Sequence, residues 1–408
     1  MDIIYFIMLL MLIYFINPLK NEEKLFTTPF LTVSYLILFS YVLSVFNIPM
    51  YKYLYLLPLL IILIYFLKNK KLNFKGAFSK IKLFNFKKSH LILMIILLFT
   101  IFIGYNIFPP NPANTTDTQY HSYKTKAMVE EKTIFYNTNE IPYKYYIYYP
   151  AGFHSIIYFL SSSVGDILNS IQFIKFYILI LFVLGYYLIG ESIKKGLGCW
   201  IALFLPLTNV VYRIIGVLLP NILGYAMMLV GIFFILQYRN TKNNIYLILF
   251  SFTIASLIYI HTFPIIITTL FLIAVSIQDI ILRNGIKLFK FYNSKFHFDK
   301  KVINYWISFF GGVLFSISLI YSKMAKNIVS YGKSTNFTPE PISTIIHNIL
   351  AGTGIFYLYI LTKISLDNTN TFLISLVFTF LFILSIYYLL KLKSGAPFIL
   401  LFILLILN

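Results

Sequence analysis

Asp117, His121 and Lys124 lie within DTQYHSYKTKAMVEEK at spacings i, i+4 and i+7, so a helix starting near Thr116 carries all three on one face. A carboxylate there suits two jobs: it can take a proton from a hydroxyl nucleophile or bind a hard cation. The imidazole and the ammonium one and two turns along can orient it or meet an anion. The plain alternative is that Thr116 or Asp117 caps a surface helix. Both readings stay open at this point.

The same loop turns aromatic in IPYKYYIYYPAGFH, which contains Tyr149 and His154. Tyrosines in such a run form an interfacial belt, and the sharper alternative is stacking on a sugar ring. Further along, Arg213 and Asn221 fall in YRIIGVLLPN, His261 in IYIHTFPII and Glu340 in NFTPEP. Guanidinium is a good phosphate fork, and snorkelling at a span end is the competing role for Arg213. His261 stands between two apolar runs, where an ionisable group is a functional candidate, or else a helix-end histidine bonded to a carbonyl. The chain has only 13 acidic residues, and Asp117, Glu130, Glu131 and Glu140 share the one stretch 109–151. His90, His297 and His347 read as boundary residues. No P-loop or dinucleotide fingerprint occurs.

Composition says what must position these groups. Of 408 residues, 59% are hydrophobic, 19% aromatic and 11% charged, and mean hydropathy is +0.83. Soluble domains hold about 25% charged residues. A soluble enzyme, a disordered chain and a collagen-like fibre are excluded. The expected fold class is all-α, a polytopic membrane helix bundle. Apolar runs at 3–18, 29–47, 53–67, 91–108, 171–190, 198–211, 219–237, 245–259, 263–279, 305–322, 342–361, 371–390 and 396–407 give about 13 transmembrane helices. The first run begins with acidic Asp2 and lacks a small-residue cleavage site, so a span is expected there and not a signal peptide. The last run reaches Asn408 while still apolar, as a short final span or a truncated reading frame. Cys199 is the single cysteine, which excludes a disulfide framework and a cysteine-cluster metal site. The net charge of +20 resides largely in lysine-rich segments between apolar runs, which mark cytoplasmic loops and not a nucleic-acid surface.

The segment 152–168 decides the orientation. As a helix it reaches roughly 25 Å against a hydrocarbon core near 30 Å, and it carries His154, serines and Asp166. A juxtamembrane or re-entrant helix fits it better than a span. Loops 18–28, 68–90, 191–197, 238–244, 280–304 and 362–370 then share the cytoplasmic side and hold roughly two-thirds of the 33 lysines and arginines. Loop 109–170 lies outside, in a multi-pass protein of the cell membrane. Lys391 and Lys393 fall on the outer side in this reading.

An Asp shortly after an outward-going span, a short helix with the charged tail Lys126 to Lys132, and some 33 residues later the run Tyr149-Pro150-Ala151-Gly152-Phe153-His154, followed by a short apolar helix ending in Gly165-Asp166, resemble the first outer loop of GT-C integral-membrane glycosyltransferases. These include oligosaccharyltransferase catalytic subunits, protein mannosyltransferases and aminoarabinose transferases. The resemblance covers roughly residues 91–280, most strongly 109–224. It implies a polyprenyl-phosphate-linked sugar donor, membrane lipid as partner, inverting chemistry on the outer face, and Asp117 as the first-loop catalytic carboxylate. His121, Lys124, Tyr149, His154, Arg213, Asn221, His261 and Glu340 are then the substrate-binding candidates. Glu340 matches the late-loop glutamate of oligosaccharyltransferases by position only. Asn221 departs from the pattern: it stands where an acid is expected. A neutral amide is a poor ligand for Mg²⁺ or Mn²⁺, so a divalent cofactor lacks its second acidic ligand.

The expected organisation is 1–90 as three helices with a basic loop, 91–280 as the GT-C-like core, and 281–408 as C-terminal helices. Two other functions compete with the transferase. One is an inactive GT-C-like scaffold, which the missing second acid favours. The other is a transporter of lipid-linked saccharides, which needs charges inside spans; only Glu191, Lys175 and Asp279 stand near span ends.

Overall fold

A computed structural model describes residues 2–68, 88–107, 116–135, 150–204, 220–284 and 300–334. The described residues hold helices and no strand. In chain order these are α1 (Ile3–Ile16), α2 (Asn21–Val45), α3 (Lys52–Lys68), α4 (Lys88–Ile107), α5 (Thr116–Glu131), α6 (Gly152–Leu160), α7 (Ile167–Ile193), α8 (Gly198–Phe204), α9 (Pro220–Thr241), α10 (Ile245–Ile258), α11 (Thr262–Asn284) and α12 (Lys300–Ser334). A 3₁₀ turn, Val164–Asp166, precedes α7. The expected spans 342–361, 371–390 and 396–407 lie outside the described residues. Four helical stretches are long and apolar enough to cross a membrane: Glu22–Val45, Val164–Ile193, Pro220–Thr241 and Lys300–Leu319. Among the described residues the fold is all-helical with four candidate membrane spans, the architecture that lipid requires of a spanning backbone that is not a closed barrel.

Two compact units are present. The first is Met1–Thr268 with Ile303–Ile328. The second takes in, among the described residues, Thr269–Asn284, Lys300–Val302 and Val329–Ser334.

Inside the first unit, hydrogen bonds sort the connections into two ends. At one end Glu22 meets His90 at 3.3 Å, the Tyr246 hydroxyl donates to Glu23 at 2.6 Å, and the Cys199 thiol faces the Ser89 carbonyl at 3.2 Å. Asn240 donates to the Ser192 carbonyl at 2.9 Å, and Asn304 to the Tyr238 hydroxyl at 2.7 Å, at the same end. At the other end the Met50 amide donates to the Lys132 carbonyl at 2.8 Å, the Ile134 amide to Ser44 Oγ at 3.1 Å, and the Gly152 amide to the Tyr259 carbonyl at 2.8 Å. The Asp2 amide reaches the Leu160 carbonyl at 2.8 Å there as well, and Lys52 pairs with Asp2. Loops 18–28, 191–197 and 238–244 thus gather at one end, and residues 44–52, 132–135, 150–161 and 259–261 at the other.

Helix stops are local. Lys132 (φ 54) and Lys242 (φ 58) adopt the left-handed conformation just past α5 and α9, and their amides return to the Met128 and Tyr238 carbonyls at 2.9 and 2.7 Å. Glu22 and Glu23 in the first turn of α2 complement its dipole.

Hydrophobicity does not drive helices together in lipid, so close packing and polar contacts must. Ser34 of α2 bonds Ser256 of α10 at 3.0 Å, and the Tyr177 hydroxyl of α7 donates to the Pro29 carbonyl at 2.9 Å.

The segment 152–168, expected as one helix near the interface, divides: 152–160 form the 9-residue α6, every residue of which is buried, and 164–168 open the apolar stretch Val164–Ile193. At about 1.5 Å per residue α6 is far too short to cross a bilayer. It packs among α1, α2, α5 and α7 and does not lie on a lipid surface. Its start is held by Gly152: a Cβ there meets the Tyr259 carbonyl oxygen at 2.5 Å. Gly152→Ala is expected to cost about 1–3 kcal/mol, because backbone rather than a flexible side chain must move. Thermal unfolding of the detergent-solubilised variant should show the loss.

Candidate functional site

α5 is an amphipathic piece whose inward face is made of unusual residues. Tyr120, His121, Lys124, Thr125 and Met128 are buried, while Tyr123, Lys126, Glu130 and Glu131 are exposed. The spacing 120, 121, 124, 125, 128 is the one-face pattern of a 3.6-residue helix. The face packs onto α6, the Val164–Asp166 turn and α7.

Its centre is polar. His121 Nδ1 and His154 Nε2 are 2.8 Å apart, joining α5 to α6 by a hydrogen bond in which one ring nitrogen carries the proton and the other accepts it. His121 is 3% exposed and His154 0%. Lys124 is 2% exposed, with its Nζ 5.0 Å from the centre of the Tyr120 ring. Phe153 packs edge-on to His121, with ring centres 5.5 Å apart. Thr125 Oγ1 donates back to the His121 carbonyl at 2.9 Å.

This burial sets the protonation. Desolvation, with the Lys124 charge added, pushes His121 down to about 3. His154 goes well below its ordinary 6.5 by burial, then by the charges of His121 and Lys124, with the Pro150 carbonyl pulling the other way. Burial alone pushes Lys124 down to about 7. Near neutral pH the site therefore holds two neutral imidazoles and an amine that gives up its proton at lower pH than an exposed lysine.

A second layer supports α6. The Ala151 amide donates to the Tyr41 hydroxyl at 2.9 Å, and the Tyr41 ring stacks on Tyr259 with centres 3.6 Å apart. The Tyr259 hydroxyl donates to the Ser316 carbonyl at 2.6 Å, tying in α12. Tyr158 donates to the Met50 carbonyl.

Of the residues singled out by sequence, His121, Lys124 and His154 come together. Asp117 occupies the second position of α5. His261 is half-buried, two residues beyond Tyr259 and so at the same end as Gly152; burial lowers it from 6.5. Asn221 sits in the first turn of α9, and its Oδ1 has no hydrogen-bond partner among the described residues. Tyr149, Arg213 and Glu340 lie outside the described residues. Among the described residues no group of three or more His, Cys, Asp and Glu is placed to hold a metal ion. The Tyr41–Tyr259 stack and the Met50–Lys132 link went unseen in sequence, since no spacing pattern relates residues so far apart.

Residues 19–407 match the model of a family described as "Family of unknown function (DUF6541)".

The chain belongs to the DUF6541 family.

No curated protein and no solved structure matches it. The match takes in every helix from α2 onward and half of the α1–α2 connection. The paired histidines and Lys124 are thus inside the part of this DUF6541 member that defines its membership.

Proposed function

We propose that this DUF6541 member is a membrane glycosyltransferase that moves a sugar from a polyprenyl-phosphate-linked donor to an acceptor on the outer face of the cell membrane. One observation carries the reading. The helix that bears Asp117 is docked by His121 onto the buried His154 of α6, with Lys124 buried one turn along, at one end of the bundle. A helix that served only as a loop cap has no need of a desolvated imidazole pair and lysine, each of which costs free energy to bury. Polar groups buried at an end of a membrane bundle mark functional sites more often than structural ones. In the transferase, Asp117 is the base toward the acceptor hydroxyl, and the His121–Lys124–His154 cluster faces the donor. His261 reaches the same end from the α10–α11 connection.

The test is release of polyprenyl phosphate by the purified full chain, followed by chromatography, with a panel of polyprenyl-phosphate hexoses and pentoses and mixed acceptors. Turnover of any donor supports the transferase. Binding without turnover across the panel favours the inactive scaffold, the reading that Asn221 supports by standing where a second acid is expected.

The orientation has its own check. In a Cys199→Ser background, Tyr123→Cys on the exposed side of α5 should react with a membrane-impermeant maleimide added to intact cells. Lys242→Cys, exposed at the opposite end, should react only after permeabilisation. The reverse pattern places α5 in the cytoplasm and removes the outer-face assignment.

A further inference from the structure

The end of the bundle opposite α5 carries an unbalanced charge. Among the described residues three acids stand there, and each is turned to a partner within the bundle. Glu22 meets His90 at 3.3 Å, Glu23 accepts from the Tyr246 hydroxyl at 2.6 Å, and Glu191 accepts from the amides of Gly196 and Gly198 at 3.0 and 3.1 Å. Lys20, Lys88, Lys195 and Lys242, on the connections gathered at this end, are exposed. At the α5 end, by contrast, Lys52 pairs with Asp2 and Lys126 faces Glu130 at 3.8 Å.

The four exposed lysines share a second feature. Each stands at or just before the start of a helix, respectively α2, α4, α8 and α10. Within its first two turns each of these helices exposes a large apolar side chain: Leu25 (39%), Leu91 (49%), Trp200 (66%) and Ile248 (68%). On α4 the apolar face continues through Ile95, Leu98 and Phe102, which are 56%, 61% and 62% exposed.

We propose that this end is a binding surface for anionic phospholipid, with headgroup phosphates on Lys20, Lys88, Lys195 and Lys242 and acyl chains along the apolar side chains that follow them. A soluble anion or a nucleic acid would use the lysines and leave their apolar neighbours in water; an amphiphile uses both. An ammonium on a flexible stem meets a phosphate as a point charge, while its methylenes lie on apolar surface. Trp200, beside Lys195, is the side chain type that sits at headgroup level. Anionic lipid is concentrated in the cytoplasmic leaflet, the side expected for loops 18–28, 68–90, 191–197 and 238–244. This partner is independent of the transferase reading.

The chain has two tryptophans, so Trp306→Phe leaves Trp200 as the only one. That protein, full length, is placed in nanodiscs of phosphatidylcholine with a minor fraction of phosphatidylglycerol, one lipid or the other carrying bromine on its chains. Quenching of Trp200 then gives the preference between the two lipids at that position. The expected preference for phosphatidylglycerol is about fivefold, the effect of one lysine at a membrane surface. Lys195→Gln should lower it by a similar factor, and Lys126→Gln, at the α5 end, should leave it unchanged. Salt at about 1 M, where the screening length is about 3 Å, should abolish it. If Lys195→Gln does not fold, the salt series on the Trp306→Phe protein decides. Native mass spectrometry of the Lys20→Gln, Lys88→Gln, Lys242→Gln protein should show fewer retained phosphatidylglycerol molecules than the wild type, and equal retention removes those three from the surface. Equal quenching by both brominated lipids at low salt overturns the proposal, as does a preference that neither Lys195→Gln nor salt reduces. A preference that soluble glycerol phosphate abolishes at the concentration of the lipid shows that the chains contribute nothing, and overturns the assignment to an amphiphile.

Discussion

Asp117→Asn is expected to lower sugar transfer by a factor on the order of 10²–10⁴ while leaving the fold intact. A sugar or protein hydroxyl is a weak nucleophile and needs a carboxylate within about 3 Å to take its proton as the bond forms. Asparagine keeps the shape and removes the basicity. The helix start should survive, since at the second position of α5 the substitution removes a charge–dipole contribution of only about 0.3–1 kcal/mol. Position 117 is one helical turn before His121, whose ring is fixed against His154. The backbone that carries the carboxylate is therefore held at the buried cluster and does not float on a loop. Initial rates at saturating donor, with thermal unfolding as the control, check the expectation. A variant that transfers at the wild-type rate leaves Asp117 as a first-turn carboxylate and nothing more.

Acid should release α5 from α6. When α5 is undocked, its histidine takes a proton at the ordinary 6.5; docked, His121 resists until about 3. His154 is lowered in the same direction. The sign follows from linkage: the undocked form binds more protons, so the histidine contribution to docking is full above pH 6.5 and is lost progressively as pH falls toward 3. Between pH 6.5 and 5, His121 alone weakens docking by about 2 kcal/mol, and His154 adds to it. Lys124 acts in a separate window. Its ordinary value is 10.5 and its docked value about 7, so it weakens docking as pH falls from 10.5 to 7 and contributes no further change below that. Hydrogen exchange of amides 119–131, corrected for intrinsic rates, should show at least a tenfold loss of protection at pH 5 relative to pH 7.5. A His121→Phe, His154→Phe double variant should lose that dependence. Equal protection at both pH values in the wild type would mean that the imidazoles do not hold the helix.

Much of this arrangement is visible in the chain itself. The start of α5 at Thr116 follows from the proline-rich stretch before it and the i, i+4, i+7 pattern within it. Length argues against 152–168 as a span; the helix Gly152–Leu160 is shorter still, because Ser161 leaves it in an extended conformation, and 164–168 belong instead to the stretch that runs into α7. Four of the apolar runs, 29–47, 171–190, 219–237 and 305–322, coincide with helices long and apolar enough to cross a membrane, but the helix edges are not legible from them. α2 begins at Asn21, eight residues before its apolar run, because Glu22 and Glu23 suit a helix start and find His90 and Tyr246 as partners. Periodicity sees only the apolar part of such a helix.

The site was half visible. His121 and Lys124 share a face by spacing alone, but which way that face points depends on what it packs against. A helix with His and Lys on one side reads as solvated until a partner as apolar as α6 covers it. His154 was singled out by the aromatic run around it, yet its bond to His121 spans 33 residues and has no sequence signature. The Tyr41–Tyr259 stack joins α2 to the end of α10 and is equally invisible to any local pattern. Contacts of this kind arise from how helices pack, and no window of residues contains them.

The most direct measurement of the central claim uses sealed membrane vesicles of known orientation carrying the full chain and a radiolabelled polyprenyl-phosphate sugar, with a water-soluble acceptor supplied on one side only. The account predicts labelled product when the acceptor is on the side that α5 faces, and its loss in the Asp117→Asn protein. Product formed only with the acceptor on the opposite side, or no product from any donor with either orientation, would contradict it.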